Sequence, residues 1–119
     1  MQVKKNEIQD LILQHAIDEF EKYGYSNATI RNISNNSGVS IGNIYRYFSS
    51  KKDLFKAVIQ PVYDSLSSLV FDLYRNETDS TNDISFIAHQ VSHGIMQIYK
   101  QHGRELMILV DKNTGSPYE

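Results

Sequence analysis

The chain has 119 residues, enough for one compact domain or for a small domain with part of a second. Hydrophobic residues make up 40% and charged residues 22%, which excludes a disordered polyelectrolyte; no apolar run approaches the ~20 residues of a membrane span, and the polar residues 1–10 lack the apolar segment of a secretory signal. Cysteine is absent, which excludes disulfides and thiolate metal sites and suits a reducing cytoplasm, and the net charge of −2 is unevenly placed, with eight Lys/Arg against six Asp/Glu in residues 1–56 and four against eight in residues 57–119, so a polyanion would meet the N-terminal half.

Every periodic segment reads as helix. Over residues 7–23, Ile8, Leu11, Ile12, His15, Ala16, Phe20 and Tyr23 recur at spacings of three and four, one face of an amphipathic helix. Gly24 is placed to end it, with Tyr25 folding back over the end. Thr29 is the expected N-cap of a short helix over 30–36, with Ile30 and Ile33 inward and Gly38 closing it. Val39 follows as a buried plug. Ser40 caps a third helix over 41–48, with Ile44 and Phe48 inward, and Ser49 or Ser50 caps a fourth with Lys51 and Lys52 in its first turn.

The fourth helix keeps its apolar spacing through Leu54, Phe55, Val58, Ile59, Val62, Leu66, Leu69, Val70 and Leu73 to Tyr74, with a kink or break expected at Pro61. Residues 76–83 form a polar loop. A fifth helix is predicted over about 84–102, with Phe86, Ile87, Val91, Ile95, Ile98 and Tyr99 near one face. Gly103 interrupts it before a short apolar segment over 105–111. Ser116-Pro117-Tyr118-Glu119 has the order of a helix start, with serine at the N-cap, proline in the first turn and glutamate closing a capping box; it is read as the point where a further helix has been cut away.

Residues 29–48, TIRNISNNSGVSIGNIYRYF, have the layout of a helix-turn-helix: two short helices around the tight turn Ser37-Gly38-Val39-Ser40, after a long packing helix. Such a module sets its second helix into the major groove of DNA with the N-terminal residues foremost. The chemistry suits that placement. Gly42 allows a close approach of backbone, and Asn43 has the donor and acceptor that read adenine bidentately. Tyr45 and Tyr47 offer hydroxyls to phosphate oxygens. Arg46 and Lys51 are cations, and Lys51 sits at a helix N-terminus where backbone N–H groups also favour phosphate. The Thr29 hydroxyl and its neighbouring amides offer a further phosphate contact. Singly, each has an ordinary reading: a solvated asparagine, half-buried tyrosines, a solvated first turn, a plain cap. Their grouping on one short helix after a tight turn is what argues for DNA.

These residues resemble the tetracycline-repressor (TetR/AcrR) family of bacterial regulators. The resemblance lies in ILQHAIDEFEKYGYSNATIRNIS (12–34) and GVSIGNIYRYFSSKKDLFKAV (38–58), and covers about half of the chain, roughly residues 8–60. It implies an all-α fold: a three-helix DNA-binding domain at 1–56, joined by a long fourth helix to a partial helical ligand-binding and dimerising domain at 57–119. It also implies a regulator, most simply a repressor, that binds double-stranded DNA at a palindromic operator as a homodimer in its full length. A small molecule of unassigned identity releases it. By position, Ile41, Gly42 and Asn43 face bases, with Ser40 and Arg46 beside them, and Thr29, Tyr45, Tyr47 and Lys51 hold phosphates. Two departures stand out: Ser34 and Ser37 occupy positions where the family usually has alanine, and family members are much longer than this chain.

Residues 57–119 show no catalytic pattern. Met96, Met107, Phe71, Phe86, Tyr74 and Tyr99 fit either a plain core or the lining of a ligand cavity. His89 and His93 lie four apart on one helix face, a spacing that holds metals, yet no HExxH sequence and no third ligand accompany them. No metal and no cofactor are expected, and no membrane contact. Two other classes stay open at this point: a hydrolase built on His89 and His93 with Asp83 or Glu105, and a helix-turn-helix used only for protein contacts. Neither a nucleophile elbow nor a phosphate loop supports the first. The outward glycine, asparagine and tyrosines argue against the second.

Overall fold

The computed structural model describes residues 2–76 and 84–119, and among them every regular element is helical. The order is α1 (Gln2–Asn27), α2 (Ile30–Ser37), α3 (Ile41–Tyr47), α4 (Lys51–Asn76) and α5 (Ile84–Asp111). The loop expected before α5, and Asp83 with it, lies outside the described residues from residue 77 onward.

Residues at i, i+4 and i+8 of α1 set its inner face: Ile12, Ala16 and Phe20 are fully buried. The buried face is narrower than the sequence stripe, since Leu11 and Tyr23 lie at the surface. Gly24 breaks the helical path with φ 76°, a left-handed value that suits glycine. The last three residues of α1 therefore run in a new direction, and Tyr25 turns back to set its ring edge against Phe55, 5.0 Å between centroids. Phe20 meets Phe55 edge-on at 4.9 Å, an arrangement aromatic rings favour.

α2 contributes Ile30 and Ile33 to this core, and α3 contributes Ile44. Val39 and Phe48, on either side of α3, are buried as plugs. Leu54, Phe55, Val58, Ile59 and Val62 form the inner face of α4. The helix continues through Pro61 to Asn76, so no break occurs there. α5 is one element with a kink at His102 (φ −139°, ψ 44°), one residue before the glycine expected to interrupt it. Beyond this kink Ile108 is fully buried and joins the same cluster as Ile12, Ile44 and Phe55. One core thus draws on all five helices and extends past residue 56.

α1 and α5 are also tied at the surface. The guanidinium of Arg104 donates from Nη2 to Asp18 (2.6 Å) and from Nε and Nη2 to Glu21 (3.0 Å each). These carboxylates hold Arg104 well above its ordinary pKa, through hydrogen bonds to Glu21 first and Asp18 second. The turn after Gly24 meets the residues after α5: the Tyr25 N–H donates to the Lys112 carbonyl (2.9 Å) and the Ser26 hydroxyl to the Thr114 carbonyl (2.7 Å). At the C-terminus the Ser116 hydroxyl accepts from the Tyr118 N–H (3.1 Å), and Glu119 accepts from the Gly115 N–H (3.0 Å). A capping box would give Ser116 the Glu119 N–H and Glu119 the Ser116 N–H; here the serine takes the Tyr118 N–H and the glutamate the Gly115 N–H, and residues 112–119 form turns and no helix start.

Candidate nucleic-acid interface

Three side-chain caps build the helix-turn-helix. Thr29 Oγ1 accepts from the Asn32 N–H, Ser40 Oγ from the Asn43 N–H, and Ser50 Oγ from the Asp53 N–H, each at 3.1 Å. Each thereby satisfies one of the free N–H groups that begin a helix. Of the two serines considered for α4, Ser50 takes the cap, while Ser49 donates to the Asp53 carboxylate. Between α2 and α3 the chain reverses at Gly38, whose φ of 78° is left-handed and whose N–H closes α2 onto the Ser34 carbonyl (3.0 Å). The Val39 N–H then finds the Ser37 hydroxyl at 3.1 Å. Serine at position 37, where the resemblance led to alanine, supplies that acceptor.

The face opposite Ile44 carries the expected reading set. Ile41 and Tyr45 are exposed, at 39% and 46%. A Cβ added at Gly42 would meet nothing within 4 Å, so the space in front of this backbone is open. Arg46 is exposed and forms no ion pair among the described residues. Asn43 is half-buried, and its side-chain amide has no partner among them. Tyr47 is half-buried and packs against the core. Ile41, Gly42, Asn43, Tyr45 and Arg46 therefore lie together on α3, with the Ser40 cap at its tip. Thr29 stands one helix away; its hydroxyl accepts from Asn32 and keeps its own O–H to donate.

Lys51 is placed differently from an outward cation. Its Nζ donates to the carbonyls of Tyr25 (2.7 Å), Ala28 (3.1 Å) and Ser26 (3.3 Å), and lies 4.6 Å from the centre of the Tyr25 ring. Sequence reasoning missed Glu19. This carboxylate is buried, and its Oε2 accepts from the Thr29 N–H (3.0 Å) and from Asn32 Nδ2 (2.9 Å), fixing the start of α2 to α1. The signal was present: an acid falls on the apolar stripe between Ala16 and Phe20, where a lone carboxylate needs donors.

The match to known proteins falls on this same segment. The family model described as bacterial regulatory proteins, tetR family, matches residues 12–58. Over this segment the chain is similar to tetR-family regulatory proteins. Relatives agree with it. The Nucleoid occlusion factor SlmA of Haemophilus influenzae (strain PittGG) is 34% identical over 68 residues, 57% of this chain and 31% of that protein. The HTH-type transcriptional activator FasR of Mycolicibacterium smegmatis is 36% identical over 76 residues, covering 64% and 35%. The uncharacterized HTH-type transcriptional regulator YfiR of Bacillus subtilis is 33% identical over 60 residues, covering 50% and 29%. The chain spans about a third of the length of these curated relatives. The matched segment, Ile12 to Val58, runs from the buried face of α1 to the inner face of α4 and holds the helix-turn-helix and its packing helices.

Beyond that segment, α4, α5 and the C-terminal residues border an open groove of about 1000 Å³, lined chiefly by Tyr63, Leu66, Val70, Phe71, Tyr74 and Tyr118. Burial in this wall pushes the Tyr118 phenol up from its ordinary pKa, with Tyr63 adding to the effect. Of the side chains named as candidate lining, Phe71 and Tyr74 border this groove, whereas Met96, Met107, Phe86 and Tyr99 do not. His89 and His93 stack at 6.4 Å between ring centres. Among the described residues no group of three acidic or histidine side chains is arranged to hold a metal, and no helix is long and apolar enough to cross a membrane.

Proposed function

We propose that this chain is the DNA-binding part of a cytoplasmic, non-enzymatic transcriptional regulator that reads a specific sequence in double-stranded DNA. Residues 1–56 serve as the DNA-binding unit and residues 57–119 belong to a regulatory one. The observation that carries this reading is the outward face of α3. An exposed isoleucine, an open glycine, and an asparagine amide and an arginine that have no side-chain partner among the described residues stand together behind a serine cap. A helix whose task was only to fill a core would present no such set. Ile41, Gly42 and Asn43 face base edges, while Thr29, Tyr45, Arg46 and Tyr47 meet the phosphates on either side.

The regulator acts as a homodimer on a palindromic operator, and represses by occupying it until a small apolar molecule enters the groove between α4 and α5. The groove's volume and aromatic lining support such a ligand. FasR, a relative over this segment, is named an activator. The test is selection of bound duplexes from a random DNA pool at two salt concentrations. Enrichment of a palindrome or of one half-site, with affinity falling as salt rises, is the expected result. Absence of salt-sensitive binding would move the chain to the protein-interaction class.

A further inference from the structure

The helix-turn-helix begins at Thr29 and ends at Phe48, and its two ends are 19 residues apart in sequence. Lys51 brings those ends together. It stands three residues after Phe48 in the first turn of α4, and its ammonium reaches the carbonyl of Ala28, the residue just before the Thr29 cap. The same nitrogen takes the Tyr25 and Ser26 carbonyls, which α1 leaves free at its C-terminal end. A lysine ammonium has three N–H donors and no acceptor. All three have a carbonyl within hydrogen-bond distance, and the charge lies over the Tyr25 ring.

We propose that Lys51 is a positioning residue: it staples the start of α2 to the end of α3, fixes the angle at which the reading helix leaves the core, and does not serve as a phosphate ligand. Its effect on DNA rests on the function proposed above; the staple itself does not. The cation at this position completes the C-terminal cap of α1 in place of the residues that would otherwise continue the helix. Glu19 holds the same junction from the other side, through the Thr29 N–H.

The test compares Lys51→Met, which keeps the stem and loses the ammonium, with the unaltered chain. Because the sequence has no cysteine, Lys51→Cys can be aminoethylated at that one site, restoring an ammonium at nearly the same reach. In the DNA-free protein, Lys51→Met is expected to speed hydrogen exchange at the Tyr25 and Ala28 amides about tenfold or more. On DNA it is expected to weaken binding to the selected sequence while leaving the slope of log K against log salt unchanged. Aminoethylation of Lys51→Cys restores both. A slope that falls by about 1, whether or not exchange accelerates, identifies a phosphate ligand and overturns the proposal. Unchanged exchange overturns it as well. Should Lys51→Met not fold, recovery of the fold on aminoethylating Lys51→Cys supports the staple, and no recovery counts against it. If the unaltered chain shows no salt-dependent DNA binding, the function proposed above fails, and the exchange comparison still decides the staple.

Discussion

Asn32 and Asn43 show how one residue type takes two roles a helix apart. Asn32 gives its amide to the buried Glu19 carboxylate at 2.9 Å, so it is spent within the fold. Asn43 gives its backbone N–H to the Ser40 cap, its side-chain amide has no partner among the described residues, and the proposed function assigns that amide to a base edge. Asn43→Ala is therefore expected to cost ~1–3 kcal/mol at one operator position and to relax the preference there. Affinities across single-base variants of the selected site measure this; an equal loss on every variant would remove Asn43 from base reading. Glu19 gives the opposite case. Glu19→Ala strands the Thr29 N–H and the Asn32 amide, and a stability loss of ~1–3 kcal/mol is expected in urea unfolding, with Glu19→Gln losing less. Of these positions, the sequence made that of Asn43 readable, because the spacing after the Ser40 cap sets it in the first turn of α3, away from Ile44. Glu19 and Lys51 were harder to read, because their partners, mostly backbone groups, lie 10 to 26 residues distant, and no local spacing encodes such a meeting.

The caps tell most at the level of elements. Thr29, Ser40 and Ser50 each precede by three residues the N–H they accept, and each begins a helix where the sequence placed one. Under the proposed function the α3 cap matters beyond stability, since its first turn holds Ile41, Gly42 and Asn43. Ser40→Ala is expected to cost ~0.5–2 kcal/mol and, by fraying that turn, to weaken DNA binding more than the same change at Ser50. Parallel melts and gel shifts of the two variants compare them, and an equal effect on binding would separate the cap from the reading surface. Later elements were less legible. Helical periodicity identifies which side chains share a face, but not what covers that face. Ile95 and Tyr99, on the predicted inner stripe of α5, are thus half exposed, while Ile98 beside them is buried. The kink fell at His102 rather than Gly103 because tertiary contacts, Arg104 on α1 and Ile108 in the core, decide where the helix must turn.

Over the whole molecule, two kinds of tie join the α5 end to the helix-turn-helix, and they differ in worth. The Arg104 pairs with Asp18 and Glu21 are half exposed, and such pairs contribute ~0.2–1 kcal/mol before salt screening. Ile108 is fully buried among residues of the other helices. Ile108→Ala is expected to cost ~2–5 kcal/mol, seen as a lower urea midpoint for the entire transition; a separate early transition confined to α5 would contradict it. Tyr118 adds a pH term. Its phenol is raised when folded, so its contribution is fully present below the unfolded pKa of about 10. It fades as pH climbs through the folded value. Tyr118→Phe should flatten that alkaline decline, and an identical decline in the variant would exclude Tyr118 as its source. Ile108 also bears on transplantation. A helix-turn-helix unit excised from this chain after α4 and grafted onto another protein would carry an unfilled hole where that isoleucine sits. Its fold, and under the proposed function its specificity, would travel only with a recipient that supplies a side chain of like volume at that place.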